Sequence, residues 1–196
     1  MSQFSLPLEW PGPDVDGFIV GEANRLAVDL LDKVADWPVP VALLTGPPRS
    51  GRSLLARRFS AQIPAARVID DAEAHDEEAL FHAWNAATAA APLLIVAEAS
   101  PPVWSIALPD LASRLKATPH AAIAPPDDPL VAALIEKLLI DRGRPASRAL
   151  VGTIAARIER SYAAIEQAVI GLDRAAGPRL TAPLARVLLD SVIDDS

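Results

Sequence analysis

Hydrophobic positions change their spacing along the chain, and that change divides it. From Glu22 to Val34, apolar residues recur at Leu26, Leu30, Leu31 and Val34, the stripe of an amphipathic helix. Val39–Thr45 is a compact apolar run of the kind that forms a parallel strand buried on both faces. A helix carrying Leu54, Leu55 and Phe59 follows, then a short strand at 66–69 that ends in Asp70-Asp71. Residues 76–90 read as a helix with acids in its first turn, where the helix dipole favours them. Residues 92–97 make a third strand, 109–116 a short helix and 120–124 a short strand.

After Pro125-Pro126 the strand signals stop. Helical patterns cover about 128–142, 147–158, 161–175 and 182–193. The third spaces Ile158, Tyr162, Ile165, Val169 and Leu172 by three and four, a continuous apolar face. Strand–helix alternation followed by helices alone predicts an α/β domain with a parallel sheet at 18–125 and a small all-helical domain at 126–196. Residues 9–17 are punctuated by Pro and Gly and read as a linker, so 1–17 form a tail.

Composition narrows the chemistry. The chain has 196 residues, no cysteine and a formal charge of −7. Disulfides, thiolate catalysis and cysteine zinc sites are excluded together. The acidic balance argues against a sequence-specific DNA grip, which normally needs a basic face, and favours protein partners. The apolar runs are too short to span a bilayer, and Met1–Ser5 lacks the charged and apolar regions of a secretory leader. A cytoplasmic protein without a membrane partner is expected.

The segment between the first strand and its helix carries the main candidate chemistry. Gly46-Pro47-Pro48-Arg49-Ser50-Gly51-Arg52-Ser53 matches the phosphate-binding loop G-x-x-x-x-G-K-[ST] at Gly46, Gly51 and Ser53. Arg52 stands in the lysine position, and its planar fork does not mimic a compact ammonium. Asp70 and Asp71 at a strand end suit a Walker B pair, one reaching Mg²⁺ through water and one orienting a hydrolytic water. They equally suit a solvated strand end. Arg114, late in the 109–116 helix, reads either as a surface partner of Asp110 at i, i+4 or as an arginine finger for another subunit's nucleotide. His75, His82 and His120 form neither a metal pair nor a nucleophile triad and read as structural; no metal site is expected. Gln3-Phe4-Ser5-Leu6-Pro7-Leu8 is either a loose end or a short linear motif that fills a partner's groove.

Together these residues resemble the Hda family of DnaA-related AAA+ regulators of bacterial replication initiation, in its alphaproteobacterial form. The likeness runs from Gln3 to about Val192 and is most specific at Leu108-Pro109-Asp110-Leu111 with Ser113-Arg114-Leu115. It implies a reduced P-loop, AAA+-like domain followed by a helical lid. It also implies that Gln3, Phe4, Ser5, Leu6, Pro7 and Leu8 bind the DNA polymerase sliding clamp. Phe18-Ile19-Val20 would line an adenine pocket, and Arg114 would complete the ATPase site of the initiator DnaA. ADP is the implied nucleotide, held through Gly46–Ser53, Asp70 and Asp71, with weak or absent binding as the alternative. Mg²⁺ is not expected without it. Self-association stays open. Ala97 and Ala164 stand where the family carries a polar sensor residue and a phosphate-sensing Arg. From the residues alone two other readings stay open: a small P-loop ATPase or phosphotransferase acting on its own, and a clamp-tethered loader of another replication protein.

Overall fold

A computed structural model describes residues 17–177 and 179–194, the side chains of 191–194 excepted. The chain divides into two compact units, each with its own core. The α/β unit comprises Glu22–Pro126 with Ser161–Ala163, and the helical unit comprises the other described residues, 17–21 among them.

In the α/β unit, α1 (Glu22–Asp32) precedes β1 (Val41–Thr45), α2 (Arg52–Gln62), β2 (Arg67–Ile69), α3 (Glu77–Ala86), β3 (Leu93–Ala97), α4 (Pro109–Ala117) and β4 (His120–Ala122). The four strands are parallel, in the order β2-β3-β1-β4. Every residue of β1 and β3 is buried, which explains why both read as unbroken apolar runs rather than alternating ones. One face of the sheet, with Val41, Leu43, Leu93 and Ile95, packs against Leu80 and Ala83 of α3 and Leu111 and Leu115 of α4. Leu55 and Phe59 of α2 and Ala27, Val28 and Leu31 of α1 are buried in this unit as well.

The strand order creates a crevice. From β1 the chain leaves through α2 toward one edge, and from β3 it leaves through α4 toward the other. The carboxyl ends of these neighbouring strands, in register at Thr45 and Ala97, therefore form a topological switch point, where open α/β sheets place ligands.

The helical unit holds α5 (Asp128–Asp141), α6 (Arg148–Ala155), most of α7 (Tyr162–Ala175) and α8 (Ala182–Asp194). Asp127 and Ser147 cap α5 and α6 by accepting from the N–H groups of Leu130 (2.8 Å) and Leu150 (3.2 Å). Gly143, at φ +68°, ends α5 in the left-handed conformation that releases the chain into the next turn. Ile135, Leu139, Ile154, Ile165 and Val169 fill its core. Phe18 and Ile19 are buried and group with this unit, and Gly21 lies against Leu130. Two predicted helices are shorter than their apolar patterns: 76–90 stops at Ala86 and 147–158 at Ala155. At the first of these the chain leaves helix for a turn, in which Thr88 and Ala91 form an antiparallel bridge.

Candidate functional site

The loop 46–53 sits at the switch point and is built by close backbone packing. A side chain at position 46 would place its Cβ 2.8 Å from Ile123 Cβ and 3.0 Å from Ser50 Oγ, so the loop admits only glycine there. The Gly46 N–H donates to Glu98 O (3.3 Å), tying the loop to the end of β3, and the Ser50 N–H closes a turn onto Pro47 O (3.2 Å). Arg49 and Gly51 both adopt left-handed φ values, +66° and +91°. For Gly51 this is free of steric cost; for Arg49 it costs about 1–2 kcal/mol, which the surrounding loop must offset.

That geometry delivers the chain into α2 with no side-chain cap and no acid in its first turn. The N–H groups of Arg52, Ser53 and Leu54 make no hydrogen bond among the described residues. An uncapped helix start with free N–H groups is the arrangement that attracts anions. Arg52 is half-buried and Ser53 exposed at this helix start. The loop backbone thus fits a phosphate group, while its point-charge lysine is replaced.

Asp70 and Asp71 follow β2, whose Ile69 is in register with Ile95 of β3. Asp70 Oδ1 accepts from the Asp71 N–H (3.0 Å), and Asp71 is left-handed at φ +48°. The next residues form a 3₁₀ turn, Ala72–Ala74, and its Glu73 is an organiser that the sequence reading missed. Its carboxylate accepts from the N–H groups of Glu98 and Ala99 (3.1 Å to the latter). Glu98 O in turn holds the Gly46 N–H. A chain of contacts therefore runs from the turn after β2, through the end of β3, to the first residue of the phosphate loop.

On the sheet's other side of that crevice, β4 supplies His120. Its Nε2 shares a 2.7 Å hydrogen bond with Oγ1 of Thr45, the residue before Gly46. Partial burial lowers the His120 pKa from its ordinary value of 6.5, because desolvation penalises the imidazolium. His75 Nε2 lies 3.1 Å from Asp70 O, and His82 packs edge-on to Phe81. Among the described residues no group of three or more His, Asp or Glu could hold a metal ion.

Arg114 lies on α4, and its surroundings differ from the reading that pairs it with Asp110. Asp110 forms no ion pair with it among the described residues. Its guanidinium carbon instead lies 4.5 Å from the Trp84 ring centre and 5.1 Å from that of Phe81, both on α3. Contacts at this range are worth about 0.5–2 kcal/mol depending on exposure. Glu77, one turn before Phe81 on the same helix face, accepts from the N–H groups of Ala107 (2.9 Å) and Leu108 (2.6 Å), at the entry to α4. The spacing of Glu77, Phe81 and Trp84 by four and three is a helix-face pattern readable in the sequence, but nothing in the sequence says what that face meets.

Residues 3–8, expected to bind the sliding clamp, lie outside the described residues. Ala97 ends β3 fully buried, and Ala164 lies in the first turn of α7, so neither position offers a polar group to a phosphate. Among the described residues no helix is long and apolar enough to cross a membrane.

No protein-family model matches the chain, and no curated protein matches it. Solved structures do. Domain III of the replication initiation protein DnaA from Thermotoga maritima superposes with a TM-score of 0.72 at 17% identity, over 89% of this chain and 94% of that one. AMPPCP-bound DnaA from Aquifex aeolicus gives 0.67 at 15% identity, over 94% of this chain and 69% of that one. The RuvB Holliday junction branch migration motor of Thermotoga maritima gives 0.63 at 13% identity, over 93% of this chain and 72% of that one. With a parallel sheet, the 46–53 loop at its switch point and a helical unit following in the chain, the protein has the AAA+ P-loop fold of DnaA domain III.

Proposed function

We propose that this protein is a negative regulator of replication initiation, which binds the DNA sliding clamp and stimulates ATP hydrolysis by a DnaA-type initiator. Arg114 carries the reading: it is a half-buried cation held by aromatic rings, and its guanidinium makes no hydrogen bond or ion pair among the described residues. A guanidinium in that state can stabilise charge developing on a partner's γ-phosphate, a contribution that reaches about 10³–10⁵ in rate where it operates. The fold shared with DnaA domain III supports a partner of the same architecture.

In this reading Gln3-Phe4-Ser5-Leu6-Pro7-Leu8 tethers the protein to the clamp, and Arg114 is the one catalytic group it supplies. The chain's own nucleotide, ADP, is a structural ligand. The amides of Arg52 and Ser53 at the start of α2 would hold its phosphates beside the Gly46–Gly51 loop, and Asp70 and Asp71 are the acids that would serve an accompanying Mg²⁺. Bound nucleotide would supply negative charge that fixes the loop. The loss of lysine from the loop and the apolar Ala97 and Ala164 favour this role over turnover by the chain alone. The reading implies a cytoplasmic protein that does not itself read DNA sequence.

The test measures hydrolysis of ATP preloaded on DnaA, with clamp loaded on DNA. Wild type should accelerate it, and Gln3→Ala/Leu6→Ala should lose both clamp binding and acceleration. Turnover by the isolated protein that disappears in Asp70→Ala would instead establish a self-sufficient ATPase. Acceleration of a different replication ATPase, with DnaA unaffected, would establish a loader.

A further inference from the structure

The α3 face opposite α4 has a division of labour that the phosphate loop does not explain. Glu77 fixes where α4 begins, through two hydrogen bonds to backbone N–H groups. At the far end, Trp84 Nε1 donates to Thr118 Oγ1 (3.0 Å), and Thr118 Oγ1 donates to Arg114 O (2.8 Å). Between these two anchors the Arg114 guanidinium rests on Phe81 and Trp84. Both helices belong to the α/β unit.

The choice of partner matters physically. A carboxylate would orient an arginine by occupying its N–H donors and cancelling its charge. An aromatic surface attracts the cation through its ring quadrupole and leaves the planar fork's edge donors unused. Here no carboxylate takes those donors among the described residues, although Asp110 lies one turn earlier on the same helix.

We infer that Phe81 and Trp84 are positioning residues for Arg114, holding its guanidinium so that its donors remain available to the anionic oxygens of a partner's nucleoside triphosphate. This inference rests on the proposed role of Arg114. Trp84 acts twice: its ring carries the cation, and its indole N–H locks the end of α4 through Thr118. Phe81 acts only through its ring, which makes it the cleaner probe.

Two measurements separate the inference from the reading beneath it. The first is NMR of the isolated protein, in which the Arg114 δ-protons should be shifted upfield by the rings and return toward their unperturbed position in Phe81→Leu and Trp84→Leu. Unshifted δ-protons in wild type would overturn the inference whatever the partner. The second is partner ATP hydrolysis as a function of regulator concentration. Phe81→Leu and Trp84→Leu should each lower the maximal accelerated rate about tenfold, with the half-saturating concentration unchanged. Trp84→Phe, which keeps a ring but loses the indole N–H, should fall between. Folding of each variant is checked by far-UV circular dichroism and thermal midpoint. Loss of acceleration in Arg114→Ala together with full activity in both leucine variants overturns the positioning role alone. Full activity in Arg114→Ala overturns the reading on which it rests.

Discussion

The loop at 46–53 and the α3–α4 face, the two places on which the proposed function rests, are built by opposite means. In the loop the backbone carries the design: Gly46 has no room for a side chain, Arg49 and Gly51 take left-handed conformations, and α2 begins uncapped. Arg52 stands in the motif's lysine position, and β3 ends in apolar Ala97 in register with Thr45. On the α3–α4 face the backbone is ordinary helix and the side chains carry the design, from Glu77 at one end to Trp84, Thr118 and Arg114 at the other. A loop whose shape is required by its packing persists when its chemistry changes, because altering the shape would cost stability. On the α3–α4 face Phe81 and Trp84 also pack against the sheet core, and what that packing does not account for is the Arg114 guanidinium set over both rings with no ion pair among the described residues.

Several substitutions sharpen or break this contrast. Gly46→Ala should be the most damaging to stability, by about 2–3 kcal/mol, because the added methyl must displace Ile123; a thermal midpoint equal to wild type would show that the loop yields more easily than its packing implies. Glu77→Gln should cost about 1–2 kcal/mol, since a neutral amide oxygen replaces a carboxylate that accepts two N–H groups at the start of α4. Urea unfolding measures it, and no change would remove the anchor from the α3–α4 account. Arg52→Lys should tighten ADP binding about tenfold by restoring a compact ammonium at the phosphates. Calorimetric titration decides, and equal affinity would mean that the arginine already serves.

The smallest effect concerns pH. His120 has a lowered pKa when folded, so between that value and 6.5 the unfolded chain binds more protons than the folded one. Its contribution to stability is present above pH 6.5 and is lost as pH falls through the folded pKa. His120→Gln should flatten that segment of the stability–pH curve. An identical slope in the variant would assign the acid sensitivity to carboxylates instead.

Much of the fold was legible because its signals are local. The unbroken apolar runs of β1 and β3 announced strands buried on both faces, and the three-and-four spacing through Ile165, Val169 and Leu172 announced α7. The tight turn at 46–53 between β1 and α2 was legible because glycine spacing encodes backbone geometry directly. The organisers were not. Glu73 reaches Glu98 and Ala99 across 25 and 26 residues, and Glu77 reaches Ala107 and Leu108 across 30 and 31. An acid in the first turn of a helix is normally explained by that helix's own dipole, which hides a second role across space. Arg114 illustrates the same limit: spacing offered Asp110 as its local partner, while the fold brought Phe81 and Trp84 over its guanidinium from a different helix.

In the proposed reading Arg114 serves a nucleotide site in another protein. Single-turnover hydrolysis of ATP bound to DnaA, in the presence of DNA-loaded clamp, tests it most directly. The account predicts that wild type accelerates the reaction and that Arg114→Ala, still folded and still bound to the clamp, lowers the accelerated rate by about 10³-fold. An Arg114→Ala protein that accelerates hydrolysis as well as wild type would contradict the account and leave Arg114 a packing residue between α3 and α4.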